Sequence, residues 1–155
     1  MAMVYMSLGT NLGNKAYNLN RAAEEINRCI GEVTSLSSFY ETAPWGFSSE
    51  HTFLNAALGV RTSLPPHEVL RRTQAIEREL GRTRKSVDGV YADRLIDIDI
   101  LFYDDLVLHS RELIIPHPHI GDRLFVLDPL AEIAPHLVHP LTGQTIAQIR
   151  QNLPG

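Results

Sequence analysis

The chain has a single cysteine, Cys29, so it can form neither an internal disulfide nor a zinc site built on thiolates, and a reducing compartment suits it. Nowhere does it run to the ~20 consecutive apolar residues that a membrane-spanning helix needs. Its first residues, MAMVYMSLG, carry no basic segment ahead of a long apolar one. The expectation is therefore a soluble, cytoplasmic protein with no membrane partner. Positive charge is in deficit: 14 Lys and Arg stand against 18 Asp and Glu, a formal net charge of −4. That balance argues against a nucleic-acid surface covering the molecule, yet leaves room for a local basic pocket and a small anionic ligand. Repeats, linkers and low-complexity tracts are also missing. What remains is 155 residues with 44% apolar content, which suits one domain over 1–155 with one continuous core.

The periodicities predict an order of elements. MVYMSL reads as a short strand that breaks into the turn-rich GTNLGN. Leu19, Ala22, Ala23, Ile26 and Ile30 then recur at helical spacing, with Asn14 placed to cap the start, Gly31 placed as a C-terminal cap, and a polar side expected to face solvent. EVTSLSSFYET and FLNAALGVRTS read as the second and third strands. Pro65 and Pro66 open a second helix that buries Val69, Thr73, Ile76 and Leu80 and stops at Gly81. The segment GRTRKSVDGVYAD has charge and glycine but no period, and is long for a compact domain, which predicts a functional loop or lid. After the next strand the chain mixes short apolar runs with prolines, and TIAQIRQNL predicts a final short helix. The order βαββαβ folds into an α+β, ferredoxin-like sandwich: an antiparallel sheet with two helices on one face, the other face left open, plus a C-terminal extension.

The strand RLIDIDILFYDD, residues 94–105, carries the most informative pattern. Ile96, Ile98, Ile100 and Phe102 occupy alternate positions and are expected to point at the helices, which leaves Asp97 and Asp99 on the uncovered face. Asp on the solvent side of an edge strand is common, but Asp is disfavoured in strands, and this pair follows a loop holding Arg82, Arg84, Lys85 and Arg94. Two carboxylates about 6–7 Å apart repel unless they share hard cations. Magnesium is commonly held by one or two carboxylates, with waters and substrate phosphates completing its shell. Acidic ligands beside a basic cluster are what a magnesium–nucleotide complex needs, because arginines take further phosphate oxygens by forked hydrogen bonds.

A set of motifs carries a family resemblance over essentially the whole chain: SLGTNLG, SSFYETAPWG, FLNAA, TQAIERELGRTR, RLIDIDIL, IPHPHIGDRLFVLDPL and EIAP, in order and spacing. The chain resembles the 6-hydroxymethyl-7,8-dihydropterin pyrophosphokinases of folate biosynthesis, which move a diphosphate group from ATP to a pterin alcohol and release AMP. The resemblance implies that Asp97 and Asp99 hold two Mg²⁺ ions. It implies that Gln74 and Glu77, three apart on the second helix, hold the nucleotide; without it they read as a solvated helix face. Arg82, Arg84, Arg94 and Arg123 match phosphate-contacting arginines and His117 a triphosphate-contacting histidine, with Lys85 assisting. Phe53 and Phe125 match the aromatic pair that sandwiches the pterin, Asn55 its edge-reading amide, and Thr42, Ala43 and Trp45 the positions that line the pocket. Where the family often has Trp-Gly-Pro-Arg before the aspartate strand, this chain has YADR, which puts Tyr91 in the aromatic position. A monomer with ATP and the pterin as its partners is the expectation.

Two other functions compete for the same residues. A sheet-face RNA-binding module would carry aromatics and a basic surface where this strand carries acid. A metal-dependent phosphohydrolase could use Asp97, Asp99 and His117, and differs in releasing product without an acceptor alcohol. A transition-metal site on His117 and His119 lacks a third histidine at ligand spacing, so His119 reads as surface.

Overall fold

A computed structural model describes residues 1–42, 52–81 and 95–153. The order is β1 (Ala2–Thr10), α1 (Lys15–Cys29), β2 (Glu32–Leu36), β3 (Tyr40–Thr42), β4 (Phe53–Thr62), α2 (Pro66–Gly81), β5 (Asp97–Tyr103), β6 (Leu108–His109), β7 (Ile114–Ile115), α3 (Leu124–Ile133) and α4 (Ile146–Gln151). The main sheet runs β2-β4-β1-β5, with β3 also on β4, and every pairing in it is antiparallel. With α1 and α2 on one face, this is the α+β, ferredoxin-like sandwich that the βαββαβ order predicts.

Local chemistry explains the ends of the elements. The Asn14 side chain accepts from the Tyr17 N–H at 3.1 Å and caps α1 as expected. Gly31 has a different task from the one expected. The helix ends on Ile30 in a right-handed conformation, and a Cβ on Gly31 would stand 2.0 Å from the Arg61 carbonyl oxygen, so glycine is needed for close approach to β4 rather than for a left-handed cap. The polar side of α1 is not all solvent-facing either. Glu25 is buried, bonded to Arg21 at 2.6 Å and to Arg28.

Against α1 and α2 the sheet presents Val4, Met6 and Leu8 from β1, Ala56, Leu58 and Val60 from β4, and Ile98 and Ile100 from β5, all buried in one apolar cluster with Ile96. Phe102 departs from the expected alternation. The β1–β5 register pairs Tyr5 with Phe102 and Met6 with Ile100, so Leu101 is an extra residue, a bulge. Beyond it the side-chain parity reverses: Phe102 belongs to a second cluster on the opposite face, while Tyr103 packs with the first.

That second cluster corrects the expectation of an open face. Leu101, Phe102 and Ala57 are covered by Val126, Leu127 and Leu130 of α3 and by Ile146 and Ile149 of α4. Among the described residues, the end of the face near Asp97 and Asp99 opens into a hollow instead. The Thr145 capping box starts the short α4 predicted from sequence, whereas α3 was hidden by Pro129 within it. The predicted second strand is also interrupted. At Ser37 the ladder to β4 passes through a side chain, with the Ala57 N–H donating to Ser37 Oγ at 2.9 Å, so β2 and β3 are separate strands on the same edge.

Candidate functional site

Two rows of residues cross the uncovered end of the sheet. Gly9 of β1 lies between Asn55 of β4 and Asp97 of β5, and Ser7 lies between Ala57 and Asp99. Gly9 matters by what it lacks: a Cβ there would sit 3.2 Å from Asn55 Oδ1 and 3.9 Å from the Phe53 ring. Its bare backbone floors a hollow of about 580 Å³, open mouth included, walled by Phe53 and Asn55 on one side, Asp97 and Asp99 on another, and Arg123 and Phe125 from the start of α3, with Thr42 at the edge. Aromatic faces with an amide between them suit a flat, polar heterocycle. The buried Asn55 amide is oriented by its neighbours. Its Nδ2 donates to Thr42 Oγ1 at 2.8 Å and to the Tyr40 carbonyl at 3.4 Å, which leaves Oδ1 beside Gly9. The Arg123 guanidinium lies 5.7 Å from the centre of the Phe125 ring, within cation–π reach.

A second hollow, of about 630 Å³, lies on the other side of Asp99. Leu70, Ile98 and Ile100 give it an apolar floor, Leu113 and Ile114 a wall at the β6–β7 hairpin, and His117, Arg111 and Glu112 a polar rim. Asp99 lines both hollows. His117 Nδ1 accepts from the His119 N–H at 3.1 Å, so the neutral ring carries its proton on Nε2 as a donor. Burial, with Arg123 and His119 nearby, pushes its pKa down, and the ring is neutral at pH 7.

Glu77 of α2 reaches the same corner from the helix layer. Its Oε2 accepts from the Ile98 N–H, between the two aspartates in sequence, at 2.8 Å. Burial first, then the charges of Asp97 and Asp99, push its carboxyl up to about 7, against the pull of the Ile98 N–H. Three carboxyls therefore meet at the start of β5, and their repulsion is part of what raises Glu77. Among the described residues no group of three or more His, Cys, Asp or Glu side chains is arranged to hold a metal ion. Two hard carboxylates on one open face still fit magnesium, whose other positions are usually taken by water and phosphate oxygens.

Of the residues singled out from sequence, the first hollow gathers Thr42, Phe53, Asn55, Asp97, Asp99, Arg123 and Phe125. The second holds His117, with Asp99 shared. Gln74 is exposed on α2 and lines neither, and His119 is exposed as expected. Ala43, Trp45, Arg82, Arg84, Lys85, Tyr91 and Arg94, together with the proposed lid, lie outside the described residues. Sequence reasoning missed Gly9 and Ser7, although strand register alone would have set them between Asn55 or Ala57 and the aspartates. It also missed the apolar second hollow, whose residues come from three separate elements and share no local pattern.

The pattern of the 7,8-dihydro-6-hydroxymethylpterin-pyrophosphokinase (HPPK) family matches residues 5–135. The chain belongs to this family. HPPK enzymes transfer the diphosphate group of ATP to the hydroxymethyl group of 6-hydroxymethyl-7,8-dihydropterin in folate biosynthesis, leaving AMP, and the protein is an ATP-dependent pyrophosphokinase of this kind. It is 52% identical over 141 residues to a 2-amino-4-hydroxy-6-hydroxymethyldihydropteridine pyrophosphokinase of Porphyromonas gingivalis, covering 90% of this chain and 95% of that one. A relative of the same name from Aquifex aeolicus is 37% identical over 150 residues, 97% of this chain and 91% of that one. In fold, the wild-type Plasmodium falciparum HPPK-DHPS crystal structure superposes with a TM-score of 0.76 at 16% identity, over 97% of this chain and 44% of that longer one.

Proposed function

We propose that the two hollows are the acceptor and nucleotide halves of one HPPK active site, with the triphosphate crossing Asp97 and Asp99 between them. The observation that carries this reading is that Asp99 lines both cavities. The pterin ring stacks between Phe53 and Phe125, with its edge on Asn55 and its hydroxymethyl group toward the aspartates. The nucleoside lies on Leu70, Ile98 and Ile100, and neutral His117 donates from Nε2 to the phosphate chain. Asp97 and Asp99 would hold the two Mg²⁺ ions, which would supply charge neutralisation to the triphosphate. Glu77 and Gln74 act from α2 on the nucleotide side.

In the reaction the hydroxymethyl oxygen bonds to the β-phosphorus and gives up its proton to solvent, as the bond from that phosphorus to the α–β bridging oxygen breaks and AMP departs with that oxygen. Such transfers pass through a loose transition state with charge spread over equatorial oxygens. The protein's work is therefore alignment and electrostatic stabilisation. Arg123 supplies charge from the α3 end, and Arg82, Arg84, Lys85 and Arg94 supply it from residues 82–94, where closure with Tyr91 would exclude water. Ala43 and Trp45 complete the acceptor pocket. No nucleophilic side chain is needed. We assign the whole of 1–155 to one pyrophosphokinase domain, acting as a cytoplasmic monomer with neither nucleic acid nor membrane as partner. Among the described residues no helix is long and apolar enough to cross a membrane.

A crossover in steady-state kinetics tests the two-hollow assignment. Phe125→Ala should raise the KM for the pterin by about tenfold or more with little change for ATP, and Ile114→Ala should do the reverse by a few-fold. Equal effects on both substrates from either variant would refute it. AMP release from ATP without the pterin alcohol, as fast as with it, would favour a hydrolase.

A further inference from the structure

Glu132 stands on the last turn of α3 and lines neither hollow. Its exposed carboxylate nevertheless collects four hydrogen bonds from one short piece of chain. Both oxygens take the Ser38 N–H, at 3.1 and 3.0 Å, one takes the Ser38 hydroxyl at 3.1 Å, and the other takes the Tyr40 hydroxyl at 2.6 Å. A lone surface contact contributes little, but donors converging on one carboxylate fix its geometry. The Tyr40 hydroxyl, with the Ser38 N–H, holds the Glu132 carboxyl below its usual range, and Tyr40 is itself pushed up to about 12. At neutral pH one partner is therefore ionised and the other keeps its proton.

What Glu132 grips is the interruption between β2 and β3, together with the first residue of β3. Tyr40 stands opposite Asn55 in the β3–β4 ladder, and its carbonyl and the Thr42 hydroxyl are the two acceptors that take the Asn55 Nδ2 hydrogens. While β3 keeps its place, Asn55 presents its oxygen beside Gly9. If β3 shifts, the amide can turn over and offer donors where it offered an acceptor. Phe125 and Glu132 are seven residues apart, about two helical turns or roughly 10 Å along one side of a regular helix. One element thus supplies the aromatic wall at its first turn and ties down the strand behind the polar wall at its last.

We propose that Glu132 is a positioning residue for the acceptor: by bonding Ser38 and Tyr40 to α3 it sets the orientation of the Asn55 amide opposite Phe125, and so tunes selection of the pterin ring. This rests on the acceptor lying in the first hollow.

Steady-state kinetics on the full chain, with each substrate varied, test it in a double-mutant cycle with Asn55→Ala. Glu132→Ala should raise the KM for the pterin about tenfold and leave kcat and the KM for ATP within about twofold. Glu132→Gln, which retains one carbonyl acceptor, should recover most of the loss. In the Asn55→Ala background, Glu132→Ala should add less than about twofold, because the group through which it acts is gone. Should Glu132→Ala not fold, Tyr40→Phe removes a single hydroxyl and should show a smaller pterin-only rise that vanishes in the same background. Equal rises in both KM values, or a pterin effect that multiplies undiminished on Asn55→Ala, would overturn the positioning role and leave a structural one. An unchanged pterin KM in Asn55→Ala alone would instead overturn the placement of the acceptor, and the role of Glu132 with it.

Discussion

On the side of the sheet facing α1 and α2, Leu8, Met6 and Val4 of β1 are fully buried beside Ile98 and Ile100 of β5. One residue along the same strands, Ser7, Gly9, Asp97 and Asp99 line an open hollow. The backbone ladder is common to both faces, so what separates them is the period-2 alternation and what covers each side. The covered face can be uniformly apolar because its whole return comes from removing surface from water. The open face carries small and acidic residues that contribute little to that core, and two of them repel each other. The same strands thus hold stability on one face and chemistry on the other, and substitutions should divide accordingly.

The largest expected effect is on the open face. Asp97→Ala or Asp99→Ala should cut turnover by roughly a thousandfold or more while the thermal melt stays cooperative. Residual magnesium-dependent AMP formation near the wild-type rate would erase the distinction between the faces. Leu8→Ala, on the covered side, should show the opposite profile, losing about 3 kcal/mol in urea denaturation with near-normal KM values at temperatures where it remains folded. Gly9→Ala sharpens the contrast within a single strand. The added methyl meets Asn55 Oδ1 at 3.2 Å, so the pterin KM should rise by about fivefold or more with little change in stability, and an unaltered KM would show that the floor of the hollow is not in contact with substrate.

The smallest effect concerns Glu25, on α1. Arg28 and Arg21 hold its carboxyl down at about 2, against an ordinary 4.5. The sign follows from the depressed folded-state value: the contribution to stability is complete above pH 4.5 and is lost as pH falls toward 2. Urea denaturation at a series of pH values should show Glu25→Gln losing less stability than wild type across that window. The difference should be modest because both arginines are partly exposed, and activity at neutral pH should be unchanged. Parallel acid limbs in the two proteins would mean that the triad contributes nothing.

The alternation from Ile96 to Ile100 was legible because a half-buried strand writes its two faces directly into the residue order. So was α1, whose apolar spacing and Asn14 cap are local signals. Phe102 was misread because a bulge at Leu101 depends on pairing with β1, which no local pattern reports. The helix α3 was missed because Pro129 imitates a break, although a buried side chain on either side of it packs against the sheet. The site was legible in its residue types and not in its architecture. Phe53, Asn55, Asp97 and Phe125 come from three different elements, and nothing in their spacing says that Gly9 lies beneath them or that Asp99 joins two cavities.

By itself the amino-acid order determined the two faces of the chain from Ile96 to Ile100, where α1, α2 and α4 begin, and that acid and base were gathered close together along the chain, since all of these are set within a few residues by backbone geometry and capping. Tertiary structure decided which part of the second face is covered, which glycine becomes the floor of a pocket, and that a carboxylate at the end of α3 bonds the segment whose Tyr40 carbonyl takes the Asn55 amide. Those outcomes depend on contacts between segments far apart in sequence, whose free energies exist only once the sheet has closed.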